Sequence, residues 1–529
     1  MPSGPQKSSI SPALIFLRER WLSVGIVSLL LLIPCTWHRR IEAGDLGSHV
    51  YNAWLAQLIG KGQAPGLYLV NRWDNVLFDM MVLKLGNLFG LAAAEKIAVF
   101  VCVLIFFWGT FALISSVARR PAWFLLPCVA MLAYGWTFNV GFFNYYLSIG
   151  LGFFVIAIVW RAVVAADSEP SLDGLSPGPA DGRAAAVQTR GTRARWGGEV
   201  VLSLALTALV LIAHPQGFAW LFGCVGYIVL WRILPGWWKL ALPAAAAALI
   251  AAVRLYCARH YEIWMIGDVF GRGIYNGSDQ IRLYTREYLF LSVAAMLFGI
   301  ACFFMESWRR QRARENWKAL RLPFELYAVV VFATYVVPDS LRTPIYFGLI
   351  GGLAARLTTI SAALGLCVLG LMKPRKWHTI GFGVVAVIFF SFLYRDTGVL
   401  NRMEQQIVQL VSTLPPGQRV LATIMASPHS KVPFIVHMAD RACIARCFSF
   451  ENYEPPSGQF RVRVQEDSPA ASSDVDDRQD MESGEYLVKP EDLPMWQIYQ
   501  CDQNDMTRLC LRPLTAGEVN GRLSFPPRD

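Results

Sequence analysis

Long apolar runs separated by short polar segments occupy the first three quarters of the chain. Runs that reach or approach the roughly 20 residues needed to cross a bilayer lie at 21–37, 97–117, 122–136, 145–160, 199–213, 217–231, 238–253, 288–305, 324–337, 345–371 and 379–394. This pattern predicts about eleven membrane helices. With a cytosolic N-terminus, Arg119, Arg120, the arginines of 161–195, Arg232, Lys239, the arginines of 309–321, Lys373, Arg375 and Lys376 all fall on the cytosolic side. That is the side on which the positive-inside rule places them. An odd number of spans sends everything after Tyr394 to the outer side.

The first outer loop, 38–96, is the longest between spans. Its stretches 45–62 and 67–90 each place apolar residues at helical spacing with polar ones between, which predicts two amphipathic helices lying in the membrane interface. Segment 163–198 is rich in Gly, Pro, Ala and Arg without hydrophobic period, and is expected to be a disordered cytosolic loop. Beyond the last run, Met403, Ile407, Leu410, Val411 and Leu414 repeat at helical spacing up to the breaker Pro415-Pro416-Gly417, and 419–424 reads as a strand. The expected fold is therefore mainly α: a transmembrane catalytic part over 1–396 and a small extracytoplasmic α+β domain over 397–529. An acidic, mobile stretch is expected at 466–482.

Composition narrows the class. Hydrophobic residues make up 55% and charged residues 16% of 529 residues, with a mean hydropathy of +0.40. A soluble protein of this length is excluded, and the expected location is a bacterial inner membrane with the C-terminal domain in the periplasm. The net charge of +10 reads as topology and not as a nucleic-acid surface. No small-residue cleavage pattern follows Trp37, so the first run is expected to stay as a span. There is no GxGxxG or GxxxxGK[ST] cradle for a nucleotide. Four of the eleven cysteines, Cys443, Cys447, Cys501 and Cys510, lie in the tail. On the oxidising side they predict two disulfides, with three connectivities open and a zinc site as the other reading.

Polar chemistry gathers on the outer face. Six of the seven histidines (His38, His49, His214, His260, His429 and His437) fall there under this topology. Just beyond the first run, Glu42, Asp45, His49 and Asn52 stand close together; Asp45 and His49, four apart, share a helix face. Asp45 suits a general base with His49 orienting it or binding phosphate, and it also suits a helix N-cap. Asn71, Arg72, Asp74 and Asp79 read as a solvated polar face. In the second outer loop, 254–287, Arg254, Arg259, Arg272, Arg282 and Arg286 stand on the side that disfavours basic residues, which a phosphate ligand explains. Arg342, in a short outer turn, is a further phosphate contact. Asn139, Asn144, Tyr145 and Tyr146, and His214 with Gln216, are polar groups at the membrane boundary that suit a cavity lining. Arg356 falls inside the run 345–371 and marks either a break in it or an aqueous cavity.

An acidic residue after span one, paired helices in the first loop, many spans and an outer tail resemble the GT-C superfamily of membrane glycosyltransferases, which includes protein O-mannosyltransferases and lipid A aminoarabinose transferases. The resemblance implies a polyprenyl-phosphate-linked sugar as donor and a glycan, lipid or protein hydroxyl as acceptor. It also implies Asp45 as base and Arg282, Arg286 or Arg342 on the carrier phosphate; the residues themselves offer Asn52, Arg272, His214, Asn139, Asn144 and Tyr145 as further substrate contacts. Many members carry adjacent acids or Asp-x-Asp in this loop, where this chain separates Glu42 and Asp45 by two residues. No metal ligands are therefore assigned, although the resemblance leaves room for Mg2+ or Mn2+. The contrasting expectation is a transporter or flippase of a lipid-linked substrate.

Overall fold

The structure, a computed structural model, describes residues 12–164, 182–265, 275–312, 318–344, 349–425, 430–432, 437–502 and 505–523. Arg272 and His429 lie outside them. Apolar residues on all faces give helices that neighbouring helices or lipid must cover, and the chain is mainly helical as expected. After α1 (Pro12–Leu31) and a 3-10 turn at Ile33–Cys35 come α2 (Leu46–Gly60), β1 (Leu67–Leu69) and α3 (Leu77–Phe89). The apolar runs continue as α4 (Leu91–Ala118), α5 (Leu126–Ala133) with the short α6 (Trp136–Val140), α7 (Phe143–Val163), α8 (Gly182–Ala213), α9 (Pro215–Ile233) and α10 (Trp238–His260). Next are β2 (Glu262–Trp264), α11 (Arg286–Arg312), α12 (Lys318–Val336), β3 (Ser340–Arg342), β4 (Leu349–Ile350), α13 (Leu353–Gly370) and α14 (Lys376–Ser412).

Among the described residues, nine helical segments are long and apolar enough to cross a membrane, and a shorter apolar helix covers Gly197–Ala213. The crossing of α4 and α7 is made by glycines. A Cβ on Gly109 of α4 would stand 2.3 Å from the Gly150 carbonyl oxygen of α7, and one on Gly150 would stand 2.7 Å from the Phe106 Cα. Absent side chains let these two backbones touch.

The tail holds β5 (Gln418–Thr423), α15 (Met438–Cys443), β6 (Cys447–Ser449), α16 (Glu454–Ser457), β7 (Val462–Val464), α17 (Asp477–Ser483), β8 (Met495–Gln500) and β9 (Leu509–Pro513). Its sheet runs β6-β5-β8-β9, with β5 parallel to both neighbours and β9 antiparallel to β8. The expected strand at 419–424 is β5. Two disulfides are present, Cys443–Cys447 and Cys501–Cys510. The first closes the turn between α15 and β6, and the second ties the ends of the β8–β9 loop.

Several expectations are corrected. The boundary at 396/397 falls inside α14, one helix of 37 residues that buries Phe389 and Leu393 in its first part and Met403, Ile407 and Val411 in its second. The polar step at Arg395-Asp396-Thr397 carries no proline, so nothing stops the helix there. Nor does the tail stand apart: β7 pairs antiparallel with β1, Leu67 opposite Val464 and Leu69 opposite Val462, and one apolar core runs from α4 and α7 into β5, β7 and β8. Only a smaller core around Leu421, Phe450, Met481 and Tyr486 belongs to the tail alone.

The two interfacial helices differ as well. α2 buries Leu46 through Ala53, Leu55 and Ala56 under the tail, and the second predicted helix is helical only from Leu77. A polar stripe that meets a polar partner gives the same period as one that meets water. The segment 163–198 is helical from Gly182 onward. In 466–482, Ala470 and Ala471 are fully buried, and α17 occupies its end.

Candidate functional site

The first loop and the tail close on each other around three adjoining polar groups. Asp45 lies at the start of α2, where its own N–H donates to the Val140 carbonyl of α6 at 2.8 Å and that of Gly44 donates to Asn139 at 2.8 Å. Two glycines permit this approach. Gly141 has φ +90°, and a Cβ there would stand 2.4 Å from the Asp45 nitrogen; a Cβ on Gly47 would stand 2.2 Å from the His437 carbonyl oxygen. Asp45 occupies the N-cap position, yet its side chain makes no capping hydrogen bond. The carboxylate is 19% exposed and instead faces the His437 Nε2 of the tail at 3.6 Å.

His437 is buried, and its other nitrogen, Nδ1, is 2.9 Å from the buried Asp440 carboxylate, three residues on. Asp440 in turn accepts from the Ser449 hydroxyl at 2.5 Å. With Nδ1–H donated to Asp440, Nε2 is the side of the ring turned to Asp45. Arg356 lies near this group, close enough for Asp45 to act on its charge. The run 345–371 breaks at Gly351-Gly352, and α13 starts at Leu353, so Arg356 stands in its first turn, as the break reading expects. Its guanidinium lies 3.9 Å from the Phe142 ring centroid and donates through Nη1 to the Gln216 Oε1 at 3.3 Å, while the buried Nε has no partner among the described residues. Tyr145, Asp45, Tyr453 and Asp339 are among the groups that act on its charge.

One turn along α2, His49 turns away from Asp45. Its Nδ1 is 2.6 Å from Asp79 of α3 and 3.7 Å from Glu454 of α16. Asn144 fixes Asp79 by donating to its Oδ2 at 2.7 Å, and Ser48 donates to the Glu454 Oε1 at 3.2 Å. Burial opposes a charge on His49, but Asp79 and Glu454 outweigh it and push the imidazole up to about 9. Burial, with Asp79 beside it, pushes Glu454 well above the usual carboxylate range. Next to this group, Asn52 and Asn452 exchange amide hydrogen bonds of 3.1 and 3.0 Å. His49 therefore does not orient Asp45, and the Asn52 amide is committed to the tail.

The third group surrounds Arg441 of α15, which is buried. It donates to Glu404 of α14 and Glu95 of α4, the latter at 2.8 Å, to the Ile41 carbonyl at 3.0 Å, and to Glu42 at 3.4 Å. Arg40 adds a contact of 3.3 Å to Glu404. Glu42 is thus part of a buried ionic network and not a neighbour of an open base. Burial and the charge of Glu404 push its carboxyl well above the ordinary range, and among the described residues its Oε1 has no partner.

The remaining sequence candidates take varied positions. Asn139 spends its amide on the Tyr134 and Gly135 carbonyls and accepts from the Tyr284 hydroxyl, so its role is to hold the α6 corner. Asn144 serves Asp79 and the start of α3, accepting from the Phe78 N–H at 2.7 Å. Tyr145 donates to the Arg356 carbonyl at 2.9 Å and stacks edge-on to His214, which caps α9 through the Gln216 N–H. These two residues do line the Arg356 side of the site. Arg286 is exposed at the start of α11 and Arg282 half-buried before it, while Arg342 is exposed on β3 beside Asp476 at 3.5 Å. Among the described residues, none of these three arginines pairs with Asp45, His437 or Arg356.

Sequence reading missed Asp440, Glu454 and Arg441, and took Asp79 for a solvated residue. The spacing of His437 and Asp440, one helical turn apart, was the available signal. Comparison of the chain with models of protein families, with characterised proteins and with solved structures finds no match.

Proposed function

We propose that the chain is a membrane glycosyltransferase that moves a sugar from a polyprenyl-phosphate carrier to an acceptor hydroxyl at the outer face of the membrane, with inversion. The meeting of Asp45, His437 and Arg356 carries this reading: a carboxylate free of capping duty, a histidine oriented by a second carboxylate, and a half-buried guanidinium whose buried Nε has no partner among the described residues. In the reaction the acceptor oxygen bonds to the anomeric carbon as the bond from that carbon to the phosphate oxygen breaks. The bonding pair leaves on the phosphate and the acceptor's proton passes to Asp45. His437, with Nε2 turned to that carboxylate, takes the proton onward.

Arg356 suits the leaving phosphate better than the exposed arginines do, because charge developing in a dry site is stabilised far more strongly there than in water. An apolar cavity of about 310 Å³ lined by α5, α11, α12 and α13 supports a lipid-borne donor. At its rim Gln280 accepts from the Thr137 hydroxyl at 3.2 Å, on the same short helix α6 whose Val140 carbonyl holds Asp45. Asp45 belongs to no group with metal-ligand spacing among the described residues, so no step is routed through a metal.

In this reading the apolar helices cross a bacterial inner membrane eleven times, the N-terminus is cytosolic and the tail periplasmic. Reporter fusions placed after Ser412 test the orientation. A periplasm-dependent reporter is expected to be active there and a cytosol-dependent one silent; the reverse result moves the chemistry to the other face.

Arg356→Lys keeps the charge and loses the fork. Loss of a charge-assisted hydrogen bond corresponds to roughly a 10- to 100-fold drop in kcat/KM for the lipid donor, whereas Arg286→Ala and Arg342→Ala are expected to stay near wild type. Donor kinetics unchanged in Arg356→Lys but impaired in the other two would return the phosphate to these outer arginines.

A further inference from the structure

We infer that His49, Asp79 and Glu454 form a binding site for a single zinc-class divalent cation that clips the tail onto the first loop. One ligand atom from each of the three lies within 4.8 Å of the others, and the three come from α2, α3 and α16, two ends of the chain more than 370 residues apart. His49 and Glu454 are almost wholly buried and Asp79 largely so. Two carboxyls and one imidazole converging in such a place are the nitrogen and oxygen donors that a zinc-class cation takes.

The surroundings are those of a ligand set. Asn144 holds the outer oxygen of Asp79 at 2.7 Å and Ser48 holds Glu454 at 3.2 Å, as hydrogen-bonded neighbours fix metal-binding carboxylates. Beside them is a small cavity of about 20 Å³ lined by Asn52, Asp79 and Glu454 among others. That is room for one water, since a cavity needs roughly 10–15 Å³ to hold one. Three protein ligands and a water make four. A tetrahedral ion needs its ligand atoms about 3.3 Å apart; the present separations of 2.6 and 3.7 Å from the His49 Nδ1 straddle that value, and the two carboxylates lie within 4.8 Å of each other. An imidazole nitrogen with two carboxylates favours zinc or its first-row neighbours over Mg2+ or Ca2+, which prefer oxygen throughout.

Asp45 and His437 are not ligands, and the cation's role is to hold the lid of the site, not to act on substrate. The inference is therefore independent of the transferase reading. The test is metal content and Zn2+ titration of the purified full chain, stripped with chelator and without any substrate, together with the visible absorption of a Co2+-loaded sample. About one Zn2+ per chain is expected, and chelation is expected to make the tail more open to protease. His49→Gln and Glu454→Gln, both close in size to the original, should raise the Zn2+ dissociation constant at least ~10-fold, the loss typical of even an outer-sphere partner. Asp45→Asn should bind as wild type does. A wild-type chain that takes up no stoichiometric Zn2+, or variants that bind as well as it does, would overturn the site.

Discussion

Replacing Arg441 by alanine is expected to unseat the tail from the first loop, with a loss of about 3–5 kcal/mol, the range for removing one partner from a buried ion pair. The guanidinium touches Glu404, Glu95, Glu42 and the Ile41 carbonyl, so its removal leaves three carboxyl groups with Arg40 on Glu404 and the more distant Lys96 near Glu95 as counter-charges. Such a loss is a large share of the 5–15 kcal/mol that holds an ordinary domain together. Thermal unfolding in detergent should show it, and limited proteolysis should release the tail early. Glu42→Gln is the contrast. Burial and the neighbouring Glu404 already favour the uncharged carboxyl at that position, so a neutral amide of the same shape should fold, and transfer should survive. A stable Arg441→Ala chain with a protected tail would mean that the sheet pairing of β1 with β7 alone holds the two parts together.

Asp45→Asn is expected to lose at least ~100-fold in sugar transfer, the lower end of what a general base contributes, while the chain still inserts and binds donor. Asparagine keeps the size of the side chain but cannot take a proton. Helix capping does not complicate the result, because the Asp45 side chain makes no capping hydrogen bond and asparagine caps a helix about as well as aspartate in any case. His437→Gln should give a smaller loss, since it removes the onward acceptor and not the base. Full activity in Asp45→Asn would move the base elsewhere; full activity in His437→Gln would remove the proton route through the tail.

The helical part of the fold was legible because a membrane helix announces itself by length and apolar content alone. The strand β5 and the break after Leu414 were legible through local chemistry, β-branched and apolar residues after Pro-Pro-Gly. Arg356 stood out for the same reason: a lone charge in an apolar run has few explanations. What could not be read was anything made by two distant segments. Ser48, His49 and Asn52 form a polar stripe on α2 whose partners, Glu454 and Asn452, lie about 400 residues away, and no period in either segment records the other. The pairing of Asp45 with His49 failed for a related reason. Four-residue spacing puts two side chains on one face, but the nearer carboxylates on α3 and α16 decide which way the imidazole turns. The cysteines showed the existence of two tail disulfides without their connectivity, since spacing alone allows three.

Turnover itself gives the most direct test. Purified full chain in nanodiscs, offered a panel of labelled polyprenyl-phosphate sugars with and without candidate acceptors, should release polyprenyl phosphate and form a glycoside of inverted configuration, and the Asp45→Asn chain should not. Movement of the labelled lipid across the bilayer with the sugar still attached, by wild type and Asp45→Asn alike, would contradict the account and make the protein a carrier of lipid-linked substrate.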